Sequence, residues 1–279
     1  QLRDALISRT YLHDVYAPFS INDPKPRRIH KATVRDRLLH HAVFRVLYPV
    51  FDRSFIFDSY SCRIGKGTHR ALRRLRVFAR KMSANGHRNF WALKCDIRRY
   101  FDSIDQGILL SLIRKKVTDD GVLWLIERIL DSFPVESGIG LPLGNVTSQL
   151  FANIYLNELD HFVKHGLRIS FYMRYCDDFL LLGDNPEQLL RAKDTIADFL
   201  QQRLGLLLHP NKVTLRTYRQ GIDFVGYVVR RHCTTLRTRT KQRMFKRATS
   251  KNAPSYLGVL EHCNGFALTV EFKNRLGIP

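Results

Sequence analysis

Two carboxylates stand side by side in the stretch Ser170 to Gly183, SFYMRYCDDFLLLG, and a third, Asp96, closes the run Phe90 to Cys95, FWALKC. Asp177 and Asp178, held at adjacent positions, repel one another unless a cation neutralises them, and divalent magnesium, a hard ion preferring oxygen ligands, suits that task. An Asp-Asp pair alone is equally at home in a plain turn, where Asp hydrogen-bonds nearby backbone. The third acid in a matching setting changes the reading. If the two acidic sites meet across one sheet, the trio can hold two divalent ions that clamp the attacking and leaving oxygens of an in-line phosphoryl transfer.

The elements that must position these acids are legible around them. The aromatic run Phe171, Tyr172, Tyr175 and the apolar run Phe179 to Leu182 predict two strands joined by a tight turn, with Asp177 and Asp178 at the hairpin tip. FWALKC, apolar except for Lys94, predicts a mostly buried strand that delivers Asp96 at its end, just before the polar turn of Arg98 and Arg99.

The 279 residues suffice for one large or two modest domains, and 44% hydrophobic content argues against disorder. Forty-six Lys and Arg against 25 Asp and Glu leave a formal charge of +21, the electrostatic footprint of a polyanion-binding protein. Nucleic acid is the expected partner. The five cysteines, Cys62, Cys95, Cys176, Cys233 and Cys263, are odd in number and form no CxxC pair, so neither a disulfide framework nor a zinc site is expected and a reducing, cytoplasmic setting fits. No apolar run approaches a membrane span, and the opening QLRDALISR has no secretory pattern. A first residue of Gln rather than Met leads us to expect a native segment ahead of it.

Along the chain, Gln1 to Ser20 has weak helical periodicity, and Asn22 to Arg28, interrupted by Pro24 and Pro26, is expected to be extended. Thr33 to Val50 predicts an amphipathic helix ending near Pro49. The segment Ser61 to Arg70 lacks the GxxxxGK[ST] order of a phosphate-binding loop; we expect a basic loop feeding a helix from Thr68 to Met82, whose many arginines are either a solvated face or a track for a nucleic-acid backbone. Ser103 is the expected cap of the next helix, followed by one over Gly121 to Leu130. A loop containing Pro134, Ser137, Gly138, Gly140, Pro142 and Gly144 enters a helix at Ser148 to Leu159. Pro186 to Leu204 predicts a helix, Leu206 to Leu208 a short strand, and Ile222 to Val229 a strand or hairpin. At Arg230 the composition turns strongly basic, and a helical tail is expected from Ser255.

In this order the chain resembles the reverse transcriptase family over nearly its whole length. The blocks are KCDIRRYFDSID, GIGLPLGNVTSQLFANIYLNELD, RYCDDFLLLG, LGLLLHPNKVTL and FVGYVV, with KPRRIHKATVRDRLLHHAV and YSCRIGKGTHRAL similar to the fingers blocks of retron and group II intron type enzymes. Most members carry Gln-Gly, three residues, then Ser-Pro in the loop. Here Leu143 to Gln149 reads LGNVTSQ, the form of reverse transcriptases from diversity-generating retroelements; it weighs against a maturase or a phage-defence enzyme.

The resemblance implies an α+β right-hand polymerase: fingers over 1–90 and 117–138, palm over 91–116 and 139–229, and a basic helical thumb over 230–279. It implies copying of a template-repeat RNA, from a DNA primer and deoxynucleoside triphosphates, into error-prone cDNA that replaces a variable region by mutagenic retrohoming. A small, helical, oligomeric accessory variability protein is the implied partner. Asp96 and Asp177 are the implied ligands of two Mg2+ ions, with Mn2+ as a substitute, Asp178 the supporting carboxylate, and the Ile97 carbonyl a completing ligand. Phe101 corresponds to the residue that crowds a ribose 2′-hydroxyl. Leu143 lacks the amide most relatives offer the base pair, so selectivity should fall, and Gln149 stands where most have proline. Arg28, Lys31 and Arg35 are implied triphosphate contacts, Arg63, Phe224 and Gly226 template or primer contacts, and Lys212 matches a lysine held to protonate leaving pyrophosphate. A catalytically idle RNA-binding protein on the same scaffold is the alternative of another class.

Overall fold

The structure, a computed structural model, describes residues 2–22, 26–133 and 138–278. A short helix α1 (Leu2–Ile7) leads to a hairpin of β1 (Ala17–Ile21) and β2 (Arg27–Lys31). The proline connector before β2 and the loop before the Ser148 helix lie partly outside the described residues, at 23–25 and 134–137. Helix α2 (Val34–Asp52) starts where the Thr33 side chain accepts a hydrogen bond from the Asp36 amide. It runs through Pro49 rather than ending there. Proline removes one N–H, and in this last turn the burial of Leu47, Tyr48 and Phe51 outweighs that single lost bond.

Helix α3 (Thr68–Met82) buries Ala71, Leu72, Leu75, Phe78 and Ala79 on one face and carries its arginines on the others. Strand β3 (Trp91–Asp96) follows, then α4 (Gln106–Arg114), α5 (Asp120–Asp131) and α6 (Val146–His161). The cap of α4 is Asp105, whose carboxylate accepts from the Ile108 amide, not Ser103, which lies in a preceding 3-10 turn. The hairpin β4 (Tyr172–Tyr175) and β5 (Asp178–Gly183), α7 (Pro186–Leu204) and β6 (Thr214–Thr217) complete an antiparallel sheet of order β4-β5-β3-β6. Leu206 to Leu208 forms no strand; Leu208 makes one isolated bridge to Ile97, and the ladder partner of β3 is the more polar β6. There, pairing with a sheet edge overrides the weak local signal.

Side chains alternate across this sheet. Leu93, Cys95, Phe179 and Leu181 face a core shared with α2, α4, α5, α6 and α7, whereas Ala92, Met173, Leu180 and Leu182 face a second core. That second core is closed by α3, by the small sheet β7 (Ile222–Phe224), β8 (Tyr227–Val229) and β9 (Thr234–Leu236), and by α8 (Thr238–Arg247), α9 (Ala253–Leu260) and α10 (Phe266–Leu276). The change of composition at Arg230 falls between β8 and β9, and Phe224, Tyr227, Met244 and Phe272 on either side of it are buried together. No described helix is long and apolar enough to cross a membrane. The architecture is α+β.

Candidate active site

Period-two alternation puts Ala92, Lys94 and Asp96 on one face of β3, and Asp178, Leu180 and Leu182 on the same face of β5. The register makes Asp96 and Asp178 direct cross-strand partners, and the Ile97 amide donates to the Asp177 carbonyl at 3.3 Å. Tyr175 pairs with Asp178, so Cys176 and Asp177 form a two-residue turn in which Cys176 takes φ +56°, a conformation costly for any residue with a Cβ. The three acids therefore gather at one end of the sheet.

What holds that strained turn lies directly beneath it. Arg174, 1% exposed, donates to the Cys176 carbonyl at 3.0 Å through Nη1. Its Nε and Nη2 grip both oxygens of the buried Asp160 at 2.8 and 2.7 Å, and it also donates to Ser59 Oγ and Asn153 Oδ1. Tyr172 adds a third bond to Asp160 at 2.7 Å. A buried bidentate pair whose remaining donors and acceptors are satisfied is rigid, and it ties the hairpin to α6.

Above the turn the charges are arranged differently. Lys212 Nζ sits 2.6 Å from Asp96 Oδ1, and Lys94 Nζ lies 3.2 Å from Asp178 Oδ2. Burial pushes the Asp177 carboxyl above its usual range, and the neighbouring charge of Asp96 adds to that; burial also raises Asp178, against the pull of Lys94. Asp96, Asp178, Lys94 and Lys212 open on a cavity of about 470 Å³ whose further wall carries Arg216 and Arg239. With the side chains as they stand, the described residues contain no group of three His, Cys, Asp or Glu arranged to hold a metal ion. The donor set nevertheless fits a hard divalent ion: all oxygen, mutually repelling, and already satisfied in two places by an ammonium in the position of a cation.

A second wall is built from the loop before α6. The His30 amide donates to the Leu143 carbonyl at 2.8 Å, and Asn145 Nδ2 donates to the His30 carbonyl at 3.2 Å. Gly144, at φ +115°, lets β2 come so close that a Cβ there would stand 2.7 Å from Ile29. The Leu141 amide bonds the Phe101 carbonyl at 2.8 Å, so the loop is joined also to the turn that follows Asp96. His40 fixes the first turn of α6 through a 2.6 Å contact with Thr147, and burial pulls its pKa down to about 4.

The family described as reverse transcriptase (RNA-dependent DNA polymerase) matches residues 22–229. The chain belongs to the reverse transcriptase family. Among curated relatives, protein YkfC of Escherichia coli K12 is 24% identical over 81% of this chain and 69% of its own length. The group II intron-encoded protein LtrA of Lactococcus lactis is 33% identical over 75% of this chain, which spans only 45% of LtrA. A solved telomerase of Candida tropicalis, truncated from its C-terminal domain, shares the fold with a TM-score of 0.60 at 13% identity, over 82% of this chain and 57% of that one.

Of the residues expected to serve this reverse transcriptase, Asp96, Ile97, Asp177, Asp178 and Lys212 come together at the sheet end. Leu143 joins through its carbonyl to β2, the strand that exposes Arg28 and Lys31, and Phe101, half-buried, lies where the loop meets the turn after β3. Gln149 is exposed on the first turns of α6. Three others are engaged elsewhere. Arg63, its side chain 6% exposed, is bound to Asp52 and to the Ile56 and Ser59 carbonyls; Arg35 is bound to Asp14, Asp36 and the Leu12 carbonyl. Phe224 is fully buried, while Gly226 forms the β7–β8 turn beside Lys66, Arg70 and Arg73. Charge in a sequence does not say whether a partner in the fold has already claimed it. The sequence reading gave no role to Lys94 or to the Arg174 network. Lys94 was detectable as the residue two before Asp96 on a strand, but Arg174 needed Asp160, on another element, to acquire meaning.

Proposed function

We propose that the chain is an RNA-directed DNA polymerase: the primer 3′-oxygen bonds to the α-phosphorus of a deoxynucleoside triphosphate while the bridging oxygen departs with pyrophosphate, along an RNA template. One observation carries the reading, the cross-strand pairing of Asp96 with Asp178 beside the Asp177 turn, on an open cavity with basic walls. Two Mg2+ ions held by Asp96, Asp177, Asp178 and the Ile97 carbonyl would supply Lewis-acid activation and charge neutralisation. The carboxylates position rather than attack. Lys212, which bound cations would free from Asp96, would be placed to donate a proton to the leaving pyrophosphate through Nζ. Phe101 excludes a 2′-hydroxyl by bulk, and Arg28 and Lys31 on β2 steer the triphosphate to the loop of Leu143 and Gln149.

The division into fingers, palm and thumb at the boundaries given above goes with this reading. Primer extension on a homopolymer template with Mg2+ tests it: incorporation by the wild type and none by Asp177→Ala is the expected result, and equal incorporation by both sinks it.

The finer assignment is to the diversity-generating subgroup, with its template-repeat RNA and accessory variability protein, in a cytoplasm where the five unpaired cysteines stay reduced. Its support is the loop form Leu143 to Gln149, in which an aliphatic side chain replaces an amide beside the base pair. An intron-encoded enzyme is the second reading, favoured by the 33% identity to LtrA. Sequencing the cDNA decides between them: errors concentrated at template adenines support the first, and uniform fidelity supports the second.

A further inference from the structure

The turn between β8 and β9 is at the end of the small sheet opposite the Val225–Gly226 turn, and it carries Arg230 and Arg231. Together with Arg76 and Arg80 of α3, these line a cavity of about 550 Å³ that shares no lining residue with the one holding the catalytic acids. Among the described residues none of the four arginines forms a salt bridge with a carboxylate, and Glu261, which lines the same cavity, pairs with none of them. Other arginines of the fold are matched with acids, as in Arg63 with Asp52, Arg74 with Asp58 and Arg237 with Asp223. Here it leaves four positive charges to one negative.

Two of the four guanidiniums are also held in place by neutral partners. Arg76 donates to Thr234 Oγ1 at 3.0 Å and to the His262 carbonyl. Arg230 donates to Thr235 Oγ1 at 2.8 Å. The stem of Arg231 lies across Gly86, where a Cβ would come within 2.8 Å of its Nε. The floor is stiff, because Tyr218 stacks on Phe90 with ring centroids 4.7 Å apart and donates to the Arg230 carbonyl. Neutral acceptors orient a guanidinium without discharging it, which is how a fold prepares an anion site.

We propose that this cavity binds the phosphate backbone of single-stranded template RNA outside the duplex being copied. The inference rests on the polymerase reading for the identity of the strand. The size and spread of the cavity suit more than one phosphate, and the side chain of Arg230 lies against Gly221 of the catalytic cavity, so a strand leaving that cavity past Gly221 meets these arginines. Template RNA held there by its phosphates is tethered while the hybrid moves.

The test is the double variant Arg80→Glu with Arg231→Glu, two exposed side chains whose replacement should leave the thermal midpoint unchanged, which is measured first. Binding of a long single-stranded RNA and of a short oligo(dT)–oligo(rA) duplex is titrated over a range of salt, and incorporation is measured on the short duplex. The variant should bind the long RNA about tenfold more weakly, with a salt slope shallower by about 1.4, the value for two lost single-strand phosphate contacts. Binding and incorporation on the short duplex should stay at wild-type levels. Unchanged affinity and slope for the long RNA overturn the proposal, and so does an equal loss on the short duplex, which would assign the arginines to the cleft. Should the wild type incorporate nothing, the polymerase reading fails by itself, and the RNA slope still decides this one.

Discussion

Two sets of ion pairs flank the Cys176–Asp177 turn, and they differ in nearly every respect. Below it, Arg174 and Asp160 are 1% and 0% exposed, joined by two parallel hydrogen bonds and surrounded by further donors and acceptors. Above it, Lys212–Asp96 and Lys94–Asp178 are single contacts at the edge of an open cavity. The lower pair cannot exchange its cation, because removing either partner strands a charge in a low dielectric. The upper pairs can. A compact ammonium on a flexible stem is readily replaced by a divalent ion, since each of these pairs is a single contact on the open cavity. The acidic end of the sheet thus combines a turn held rigid from beneath with carboxylates whose counter-ions are replaceable from above.

That contrast can be broken from either side. Asp96→Asn should have the largest effect, lowering incorporation at least about a thousandfold in single-turnover assays, since removing a ligand withdraws several kcal/mol of transition-state stabilisation. Arg174→Met should cost about 3–5 kcal/mol in urea unfolding, with loss of incorporation as the turn relaxes. Restoring apolar balance in Arg174→Met with Asp160→Leu should recover much of that stability but not the activity, because the bond to the Cys176 carbonyl stays broken; full recovery of activity would show that the pair serves folding alone.

Asp178→Asn should act in the opposite sense on stability. Its carboxyl is raised by burial, so the stability tied to that group is complete below the ordinary carboxylate range and is lost as pH rises through the raised value. At pH 7 the amide should melt about 2–4 °C higher than the wild type, a gain that vanishes in acid, while incorporation falls. His40 gives the reverse slope. With its pKa pulled down to about 4 by burial, the unfolded chain takes up a proton first as pH drops below the ordinary histidine value. The thermal midpoint should therefore fall between about pH 6.5 and pH 4, and a His40→Gln variant should flatten that stretch. Lys94→Ala should show the smallest change, within about 1 kcal/mol in stability, with a lower Mg2+ requirement for activity as the competing ammonium is gone.

The strands that carry the acids, the helices Thr68–Met82 and Pro186–Leu204 and the hairpin were legible because each has a strong period and clear punctuation: Pro186 opens α7 and Gly205 ends it in the left-handed region. Pro49 misled, since a local rule about a missing N–H knows nothing of the core that Tyr48 and Phe51 enter. Strand β6 was missed because Thr214, Leu215, Arg216 and Thr217 acquire their extended form from β3, not from their own pattern.

By itself the sequence determined the acids, their strands and the strong positive charge, because residue type, period and net charge are local or additive properties. Only the tertiary structure decided which charges remain available. Arg63 and Arg35 are engaged by Asp52, Asp14 and Asp36, Arg174 is locked to Asp160, and Arg76, Arg80, Arg230 and Arg231 are brought together from two distant segments with no salt bridge among the described residues. The physical reason is that a charge acts through what lies within a few ångströms of it, and folding alone sets that neighbourhood.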